Sequence, residues 1–331
     1  MSGNKFIDLH LHLDGAITVD IAKKLAALQG ITLPCADDEE LRKHLEVSDE
    51  CTSLNDFLGC FELPYTLLQT RESLCEAAYL VCENLKTQGV IYAELRFAPQ
   101  IHTRLALSQE DAVLAALDGL KKSDLKANLI LCCLRGDENE AENLETLRLT
   151  RKYLVEDGGV VAIDLAGAEA LFPTENYRPL FDKIQELGIP FTIHAGEAAG
   201  AGSVAQALAF GAKRIGHGVR SFEDPAVLRQ LRENGVFLEM CPTSNLKTHA
   251  LEDMNRYPLT DYLNDGIRVT LNTDDPAVVN TSMAKEFLYM KDLLGLTDEQ
   301  EKLLVGNSID AAFTSEAVKA ALRYELGQKE K

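Results

Sequence analysis

The chain has 331 residues, of which 46% are hydrophobic and 26% are charged, a composition typical of a globular protein with a sizeable core. Its 33 lysines and arginines are outnumbered by 52 aspartates and glutamates, which gives a formal net charge of −19. Because such an acidic surface repels phosphate backbones and anionic lipids, we expect neither nucleic acid nor a membrane as a partner.

The sequence predicts neither secretion nor insertion into a membrane. The first residues read as a strand rather than as a secretion signal, and no apolar stretch approaches the length that spans a bilayer. The eight cysteines form no Cys-x-x-Cys pair, and most are predicted to be small buried hydrophobic residues. These features predict a cytoplasmic protein.

Short runs rich in valine, isoleucine, leucine and phenylalanine alternate with longer amphipathic stretches along the chain. The runs predict eight strands, at Phe6–Leu13, Val90–Phe97, Asn128–Leu134, Val160–Ala166, Phe191–His194, Arg214–His217, Val236–Cys241 and Arg268–Thr273. Nearly continuous apolar strands separated by helices require a parallel sheet that is covered on both faces. Eight such units predict an α/β fold of the (β/α)8 TIM-barrel class.

The predicted strands are unevenly spaced, which indicates additional helices. The long segment between the first two strands contains helical patterns at Val19–Gln29, Leu54–Leu68 and Glu72–Lys86. Further helices are predicted at Tyr177–Leu187, Pro225–Asn234, Met283–Leu294, Asp298–Val305 and Ser315–Leu326. We predict one domain over residues 1–331, with a helical insertion at about 15–88 and C-terminal helices at about 280–331. An open doubly wound sheet is the alternative, but Gly200-Ala-Gly202 lacks the third glycine of a phosphate-binding loop.

Polar residues occur where the predicted strands end, on the barrel face that carries active sites. Asp8, His10, His12 and Asp14 occupy alternate positions, so on a strand their side chains project to one side. The ends of the fifth, sixth and eighth strands carry His194, His217, Asp274 and Asp275. Three imidazoles and a carboxylate that converge can bind zinc or a similar divalent cation and leave a position open for water.

The fourth strand ends in Asp164-Leu-Ala-Gly167, without a lysine that could bridge two metal ions, so one ion is predicted. Five polar segments occur in order along the whole chain, namely His10-Leu-His12-Leu-Asp14-Gly-Ala16, Asp164-Leu-Ala-Gly167, His194-Ala-Gly-Glu197, Arg214-Ile-Gly-His217-Gly and Asn272-Thr-Asp274-Asp275-Pro276. Together they resemble the motif set of adenosine deaminases, which belong to the metal-dependent amidohydrolase superfamily. The resemblance extends from residue 6 to about residue 276, and the C-terminal helices carry no motif.

The resemblance implies one zinc ion per chain, held by His10, His12, His194 and Asp274. It also implies that a metal-bound hydroxide attacks C6 of the purine while Glu197 protonates N1. General chemistry agrees, because the ring must accept electrons and therefore needs an acid beside N1. That acid needs a raised pKa, which a dry pocket provides. The alternative role for Glu197 is a carboxylate stabilised by a helix N-terminus.

The resemblance further assigns contacts with the attacking water and with the substrate. His217 would orient and deprotonate the water, and Asp275 would hold it and contact N7. Gly167 would donate its backbone N–H to N3, Asp14 would bind the 5′-hydroxyl, and His12 would also face the substrate. Since a carboxylate accepts a hydrogen bond from a free hydroxyl and repels a phosphate, Asp14 favours a nucleoside over a nucleotide or a bare base. A carboxylate that caps the turn at Gly15 is the alternative for Asp14.

Other polar residues receive structural interpretations. Glu94 and Arg96 point the same way on the second strand and are predicted to form a buried ion pair with each other. Residues around the seventh strand that could orient ligands or water are Glu239, Ser244 and Asn245. The histidines predicted to be ordinary surface or turn residues are His44, His102 and His249.

The leading functional prediction is hydrolytic deamination of adenosine, and of 2′-deoxyadenosine, to inosine and ammonia in purine salvage. An adenine deaminase is the nearest enzymatic alternative, since it has a similar metal site but no ribose to hold. A catalytically silent barrel that acts as a binding protein is an alternative of a different class. The sequence predicts a small nucleoside as the partner and leaves the oligomeric state open.

Overall fold

A computed structural model describes residues 5–48, 57 and 59–328 of the chain. It contains eight parallel strands, β1 Phe6–His12, β2 Val90–Phe97, β3 Lys126–Leu134, β4 Val160–Ala166, β5 His194–Ala195, β6 Arg214–His217, β7 Phe237–Met240 and β8 Arg268–Leu271. They form two four-stranded ladders, β1–β4 and β5–β8, and within each ladder every strand pairs with the next one in sequence.

Hydrogen bonds at both seams join the two ladders into a barrel. At one seam the backbone N–H of Asp274, just beyond β8, donates to the carbonyl of His10 on β1 at 2.7 Å. At the other seam the N–H of Thr192, just before β5, donates to the carbonyl of Ile163 on β4 at 3.0 Å. With alternating helices outside, the fold is the predicted (β/α)8 TIM barrel.

All eight predicted strands are confirmed, and the differences lie at their ends. β3 begins two residues earlier than predicted, at Lys126, and β8 ends two residues earlier, at Leu271. The predicted fifth strand starts at Phe191, but only His194–Ala195 continue the ladder with β6. Phe191 instead forms an isolated bridge with Ile163, because the chain there crosses the seam between the ladders.

The α-helices are Val19–Gln29, Asp38–Arg42, Glu62–Leu67, Arg71–Thr87, Gln109–Lys122, Glu140–Tyr153, Arg178–Glu186, Ala201–Ala209, Pro225–Asn234, Pro242–Lys247, Leu259–Asn264, Met283–Leu294, Asp298–Ala311 and Glu316–Glu325. Short 3-10 helices lie at Asp14–Ala16, Pro99–His102, Thr174–Tyr177, Val219–Glu223 and Met254–Arg256. None of the described helices is both long and apolar enough to cross a membrane.

Three of the predicted helices, at Val19, Pro225 and Met283, begin and end as predicted. The predicted helix Leu54–Leu68 lies partly outside the described residues, and its described part forms the helix Glu62–Leu67. The helix that starts at Asp298 runs six residues further than predicted, to Ala311, because its last turns pack against β8.

Apolar side chains fill the layer between the strands and the helices, whereas the barrel interior is polar. Glu94 and Arg96 are fully buried there, as predicted, but the predicted pairing of the two with each other is wrong. Glu94 pairs with Arg214 at 2.5 Å, and Arg96 pairs with Asp164 at 3.0 Å and with Glu239 at 2.8 Å. Side chains two residues apart on one strand project in parallel. Glu94 and Arg96 therefore each reach a partner across the barrel rather than each other.

The three histidines that lie away from the strand ends differ in how far they are buried. His44 and His249 are exposed, as predicted, whereas His102 is completely buried in the turn after β2. Its Nδ1 lies 2.9 Å from the carbonyl of Leu68, which ends the inserted helix Glu62–Leu67. Burial lowers the pKa of His102 to about 4, so the ring is a neutral donor that ties the insertion to the barrel.

The close approach of the helices Arg71–Thr87 and Gln109–Lys122 at Gly119 predicts a stability effect. A Cβ atom at Gly119 would lie 2.2 Å from the carbonyl oxygen of Cys75 and 2.7 Å from Cβ of Ala78. Gly119→Ala must therefore separate these helices, and we expect the free energy of unfolding in urea to fall by about 1–3 kcal/mol. In Gly306→Ala, within Asp298–Ala311, the new methyl group meets only a side-chain oxygen at 3.7 Å. This control should be neutral or stabilising by up to about 1 kcal/mol, and equal losses in both variants would contradict the prediction.

Candidate active site

A cavity of about 180 Å³ opens at the carboxyl ends of the strands. Residues at the ends of the strands and just beyond them form its floor, and they include every predicted metal ligand, catalytic residue and substrate contact except the deeply buried His10. Aromatic side chains from the helical insertion form one wall, namely Phe57, Phe61 and Tyr65. The insertion thus covers the floor with apolar surface, which excludes water from the polar groups below.

The chain turns after β1, at a point where the sequence analysis placed Asp14 on the same strand face as His10 and His12. β1 ends at His12, and Asp14 lies in the 3-10 turn Asp14–Ala16, although its carboxyl group still lines the cavity. A Cβ atom at Gly15 would lie only 1.8 Å from Oδ1 of Asp275. The absence of a side chain at Gly15 therefore allows the turn to place Asp14 beside Asp275.

Four residues bring a potential metal ligand atom to one place. The ligand atoms of His10, His194, His217 and Asp274 all lie within 4.8 Å of one another. Nε2 of His12 joins them, at 3.2 Å from Nε2 of His194 and 3.4 Å from Oδ1 of Asp274. The fold therefore assembles the four predicted ligands, together with a fourth imidazole.

Hydrogen bonds behind the rings distinguish these imidazoles. Nδ1 of His10 lies 2.8 Å from Oε2 of Glu239, and Nδ1 of His194 lies 3.0 Å from Oδ2 of Asp164. An ionised carboxylate only accepts hydrogen bonds, so each Nδ1 carries a proton. In the neutral ring, Nε2 then presents a lone pair to the cavity, which is the state that a metal ligand requires.

His217 has the opposite arrangement. Nδ2 of Asn245 lies 3.1 Å from its Nδ1, and the hydroxyl of Tyr257 donates to Oδ1 of the same amide at 2.9 Å. The amide nitrogen is therefore the donor, and Nδ1 of His217 is the acceptor. Burial keeps the pKa of His217 well below its usual range, so the ring is neutral and its proton sits on Nε2. This ring offers a hydrogen-bond donor to the cavity rather than a ligand lone pair.

Asp274 is held as an ionised carboxylate in a strained backbone conformation. Burial opposes ionisation, but contacts with His10, His217 and His12 hold the pKa of Asp274 well below its usual range. Its φ angle of 65° is left-handed, a conformation that costs a non-glycine residue about 1–3 kcal/mol. The Ser244 hydroxyl donates to its Oδ2 at 2.7 Å, which leaves Oδ1 facing the imidazoles.

The donor set fits a divalent cation of the zinc type. Nε2 of His10 is buried without a hydrogen-bond partner among the described residues, and burial keeps the pKa of His12 well below its usual range. Asp274 and Glu239 raise the pKa of His10 against the effects of burial and of Arg96, so a bound cation would replace a proton there. Three imidazole nitrogens and one carboxylate oxygen match the ligand preferences of zinc.

Glu197 lies on the bend that follows β5. Its side chain is only 20% exposed, and the Thr248 hydroxyl lies 2.9 Å from its Oε1. Nε2 of His217 lies 3.5 Å from its Oε2. Burial and then the charge of Asp274 raise the pKa of Glu197 to about 8, so the carboxyl group carries a proton at neutral pH. The site thus places a carboxylic acid beside the candidate metal ligands.

Asp14 and Asp275 are carboxyl groups with unused hydrogen-bonding capacity. Oδ1 of each is buried without a partner among the residues that the structure describes. Burial raises the pKa of Asp14 to about 6, although a hydrogen bond from Tyr65 opposes this effect. Burial and the charge of Asp274 raise the pKa of Asp275 well above its usual range. Buried polar atoms without partners at the wall of a cavity indicate positions where a ligand is bound.

Some residues of the site were missed by the sequence analysis. Glu169 is almost fully buried and accepts hydrogen bonds from the bend that carries Glu197. Thr248 and Tyr65 contact Glu197 and Asp14. Only Glu169 has a recognisable signal, since it comes two residues after the motif that ends at Gly167. Tyr65 lies in the helix Glu62–Leu67 and Thr248 in the turn just after the helix Pro242–Lys247, and neither belongs to a motif that indicates chemistry.

Comparisons with known proteins agree with one another over nearly the full chain. A family model described as adenosine deaminase matches residues 6–329. An adenosine deaminase of Haemophilus ducreyi is 47% identical, over 98% of this chain and 96% of that protein, and one of Enterococcus faecalis is 38% identical, over 97% and 96%. The crystal structure of an adenine deaminase from Arthrobacter aurescens superimposes with a TM-score of 0.87 at 31% identity and covers 97% of both chains.

Proposed function

The chain belongs to the adenosine deaminase family of hydrolytic enzymes, and we propose that it converts adenosine, and 2′-deoxyadenosine, to inosine and ammonia. The observation that carries the proposal is a single cavity in which the largely buried carboxyl group of Glu197 lies beside Asp274 and the cluster of imidazoles. Displacing an aromatic amine by water needs both a nucleophile and an acid, and this arrangement provides for both.

We propose a single zinc ion as the cofactor, with His10, His12, His194 and Asp274 as its ligands. When bound, zinc acts as a Lewis acid that lowers the pKa of water from 15.7 to about 7 and so makes a nucleophile available at neutral pH. The proton on Nε2 excludes His217 from the ligand set, although its ring lies in the same cluster.

In the proposed mechanism Glu197 donates its proton to N1 of the purine, which lets the ring accept electrons as C6 is attacked. Nε2–H of His217 and the carboxyl group of Asp275 face the same space, so they orient the attacking water, and Asp275 also contacts N7. Gly167 follows β4 at the cavity wall and donates its backbone N–H to N3, and His12 borders the substrate. Positioning of this kind contributes a large part of enzymatic rate enhancement.

Asp14 is proposed to accept a hydrogen bond from the 5′-hydroxyl of the ribose. Its free Oδ1 supports this role, and a pKa of about 6 keeps the carboxylate largely ionised at neutral pH. The hydroxyl of Tyr65 donates a hydrogen bond to the same carboxylate. A phosphate at this position would meet a buried negative charge, so we propose a preference for nucleosides over nucleotides.

The proposed metal site predicts a loss of zinc on substitution. His194→Ala should lower bound zinc well below one ion per chain and reduce turnover by more than the 10–100-fold typical of residues that only support a ligand. Metal analysis of purified protein, with circular dichroism to check folding, measures both effects. His44→Ala, at an exposed position, should keep zinc and activity. Full zinc occupancy with unchanged turnover in His194→Ala would exclude this residue as a ligand.

The proposed acid predicts a different outcome at Glu197. Glu197→Gln retains the shape and a hydrogen bond to Thr248 but has no proton to deliver, so turnover should fall by about 10²–10⁴-fold while zinc stays bound. Steady-state rates and zinc content measured on the same preparation separate these outcomes. A loss of less than tenfold would assign proton donation to another group.

The proposed substrate is tested by ultraviolet absorbance of the protein mixed with adenosine, adenine or AMP. We expect the spectrum of adenosine to change to that of inosine, with adenine and AMP much slower. Asp14→Ala should lower kcat/KM for adenosine about 10–150-fold, which corresponds to the roughly 1.5–3 kcal/mol of a hydrogen bond to a charged group, and leave adenine nearly unaffected. The proposed ribose contact is contradicted if AMP is turned over as fast as adenosine, or if Asp14→Ala leaves kcat/KM for adenosine unchanged. Preferential turnover of adenine would instead indicate an adenine deaminase.

A further inference from the structure

We propose that Glu169 is a positioning residue that fixes the bend carrying Glu197 and thereby sets the place from which the acid reaches the purine. The inference rests on the role proposed for Glu197. Glu169 lies in the loop after β4, and its side chain is only 3% exposed. Its carboxylate accepts hydrogen bonds from backbone N–H groups of the bend, and its charge also acts on the guanidinium of Arg135.

The carboxylate of Glu169 receives hydrogen bonds from four consecutive residues. The N–H of Gly196 donates to Oε1 at 2.7 Å. The N–H groups of Glu197, Ala198 and Ala199 donate to Oε2 at 3.1, 2.8 and 2.9 Å. The contact therefore reaches every backbone N–H between β5 and Gly200.

The local conformation of the bend explains why it depends on an external acceptor. Residues 196–199 belong to neither a strand nor a helix, since β5 ends at Ala195 and the next helix begins at Ala201. Consecutive N–H groups that point the same way form a concave site for an anion and cannot satisfy one another. A buried carboxylate provides the missing acceptors, and it fixes four successive peptide units at once.

The side-chain contacts of Glu197 alone do not fix its position. Oε1 of Glu197 lies 2.9 Å from the Thr248 hydroxyl, which lies 3.0 Å from the carbonyl of Ser244 as well and has one proton to share. Nε2 of His217 lies 3.5 Å from Oε2, at the limit of a hydrogen bond. The position of the acid therefore depends on its backbone, and a displacement of this backbone moves the proton donor away from N1.

A different residue holds the neighbouring metal ligand. The guanidinium of Arg135 donates to the carbonyl of His194 at 2.6 Å, to the hydroxyl of Thr174 at 3.0 Å and to the carbonyl of Phe172 at 2.8 Å. The end of β5 is thus fixed by Arg135 and the bend by Glu169. The charges of Arg135 and Glu169 attract each other, but the two side chains bind different backbone groups, so a change at Glu169 should affect the acid and leave zinc binding intact.

The test is Glu169→Gln, alone and combined with Glu197→Gln. The amide has the shape of the carboxylate but turns one NH2 group toward the backbone donors, so it satisfies fewer of them. We expect kcat for adenosine to fall about 10–100-fold, with KM changed less than about threefold and zinc content unchanged. If Glu169 acts through Glu197, adding Glu169→Gln to Glu197→Gln should lower the residual kcat by less than about twofold.

Glu223→Gln is the matched control. Oε2 of Glu223 accepts a hydrogen bond from the N–H of Ala201 at 3.3 Å, and Oε1 accepts one from Arg220, which also donates to the carbonyl of Ala198. Glu223 accepts no hydrogen bond from the N–H groups of residues 196–199 and does not line the cavity, so it controls for the loss of a nearby carboxylate alone. This variant should keep kcat, KM and zinc. Three results would overturn the inference. They are an unchanged kcat in Glu169→Gln, a fall in kcat that parallels a loss of zinc, and an equally large fall in kcat when Glu169→Gln is added to Glu197→Gln.

Amide hydrogen exchange of the unaltered protein tests the inference even if Glu169→Gln does not fold. The amides of residues 196–199 should exchange at least tenfold more slowly than their unprotected sequence rates, although they lie outside regular secondary structure. Exchange at the unprotected rate would overturn the contact. The two proposals fail in different ways, because a normal rate in Glu197→Gln contradicts the proposed function, whereas protected amides still support the anchoring of the bend.

Discussion

The carboxylate of Glu239 links the polar interior of the barrel to its active face. It has no exposed surface and accepts four hydrogen bonds, from Arg214 at 2.6 Å, Arg96 at 2.8 Å, His10 at 2.8 Å and Thr192 at 2.9 Å. Burial alone would raise its pKa, but Arg214 and Arg96 hold the pKa of Glu239 well below its usual range. Since a buried charge without partners costs several kcal/mol, the strands that supply these groups must meet in one register. That register also orients the imidazole of His10.

Strained residues and carboxylate oxygens without partners also occur at the cavity end of this network. His217 and Asp274, which follow the network toward the cavity, both adopt left-handed backbone angles. Asp14 and Asp275 each keep one carboxylate oxygen without a partner among the described residues, and burial raises the pKa of both. A scaffold whose interior charges are satisfied can hold such groups in place, and they are the groups that gain most from binding a ligand.

The sequence predicts those features of the site that depend on local geometry. Alternation along β1 is sufficient to predict that His10 and His12 face the same side, because successive side chains of any strand alternate. The same reasoning predicts that Glu94 and Arg96 are buried together, but it gives no information on partners across the barrel. Glu169 was missed for a related reason, since its function depends on the direction of N–H groups that begin 27 residues further along the chain. Contacts between distant segments become visible only once the strands are placed in order.

The cavity combines a charged floor with an apolar wall, and the two come from different parts of the chain. Residues at the ends of the strands and just beyond them supply the imidazoles and carboxyl groups, whereas the insertion between β1 and β2 supplies Phe57, Phe61 and Tyr65. The apolar wall removes water, and a carboxyl group in a dry site keeps its proton at neutral pH, as the raised pKa of Glu197 requires. The insertion therefore contributes to the chemistry without contributing a proposed ligand or acid. A (β/α)8 barrel without this segment would keep the donor set but expose Glu197 to solvent, where its pKa would fall toward the ordinary value and its proton would be lost.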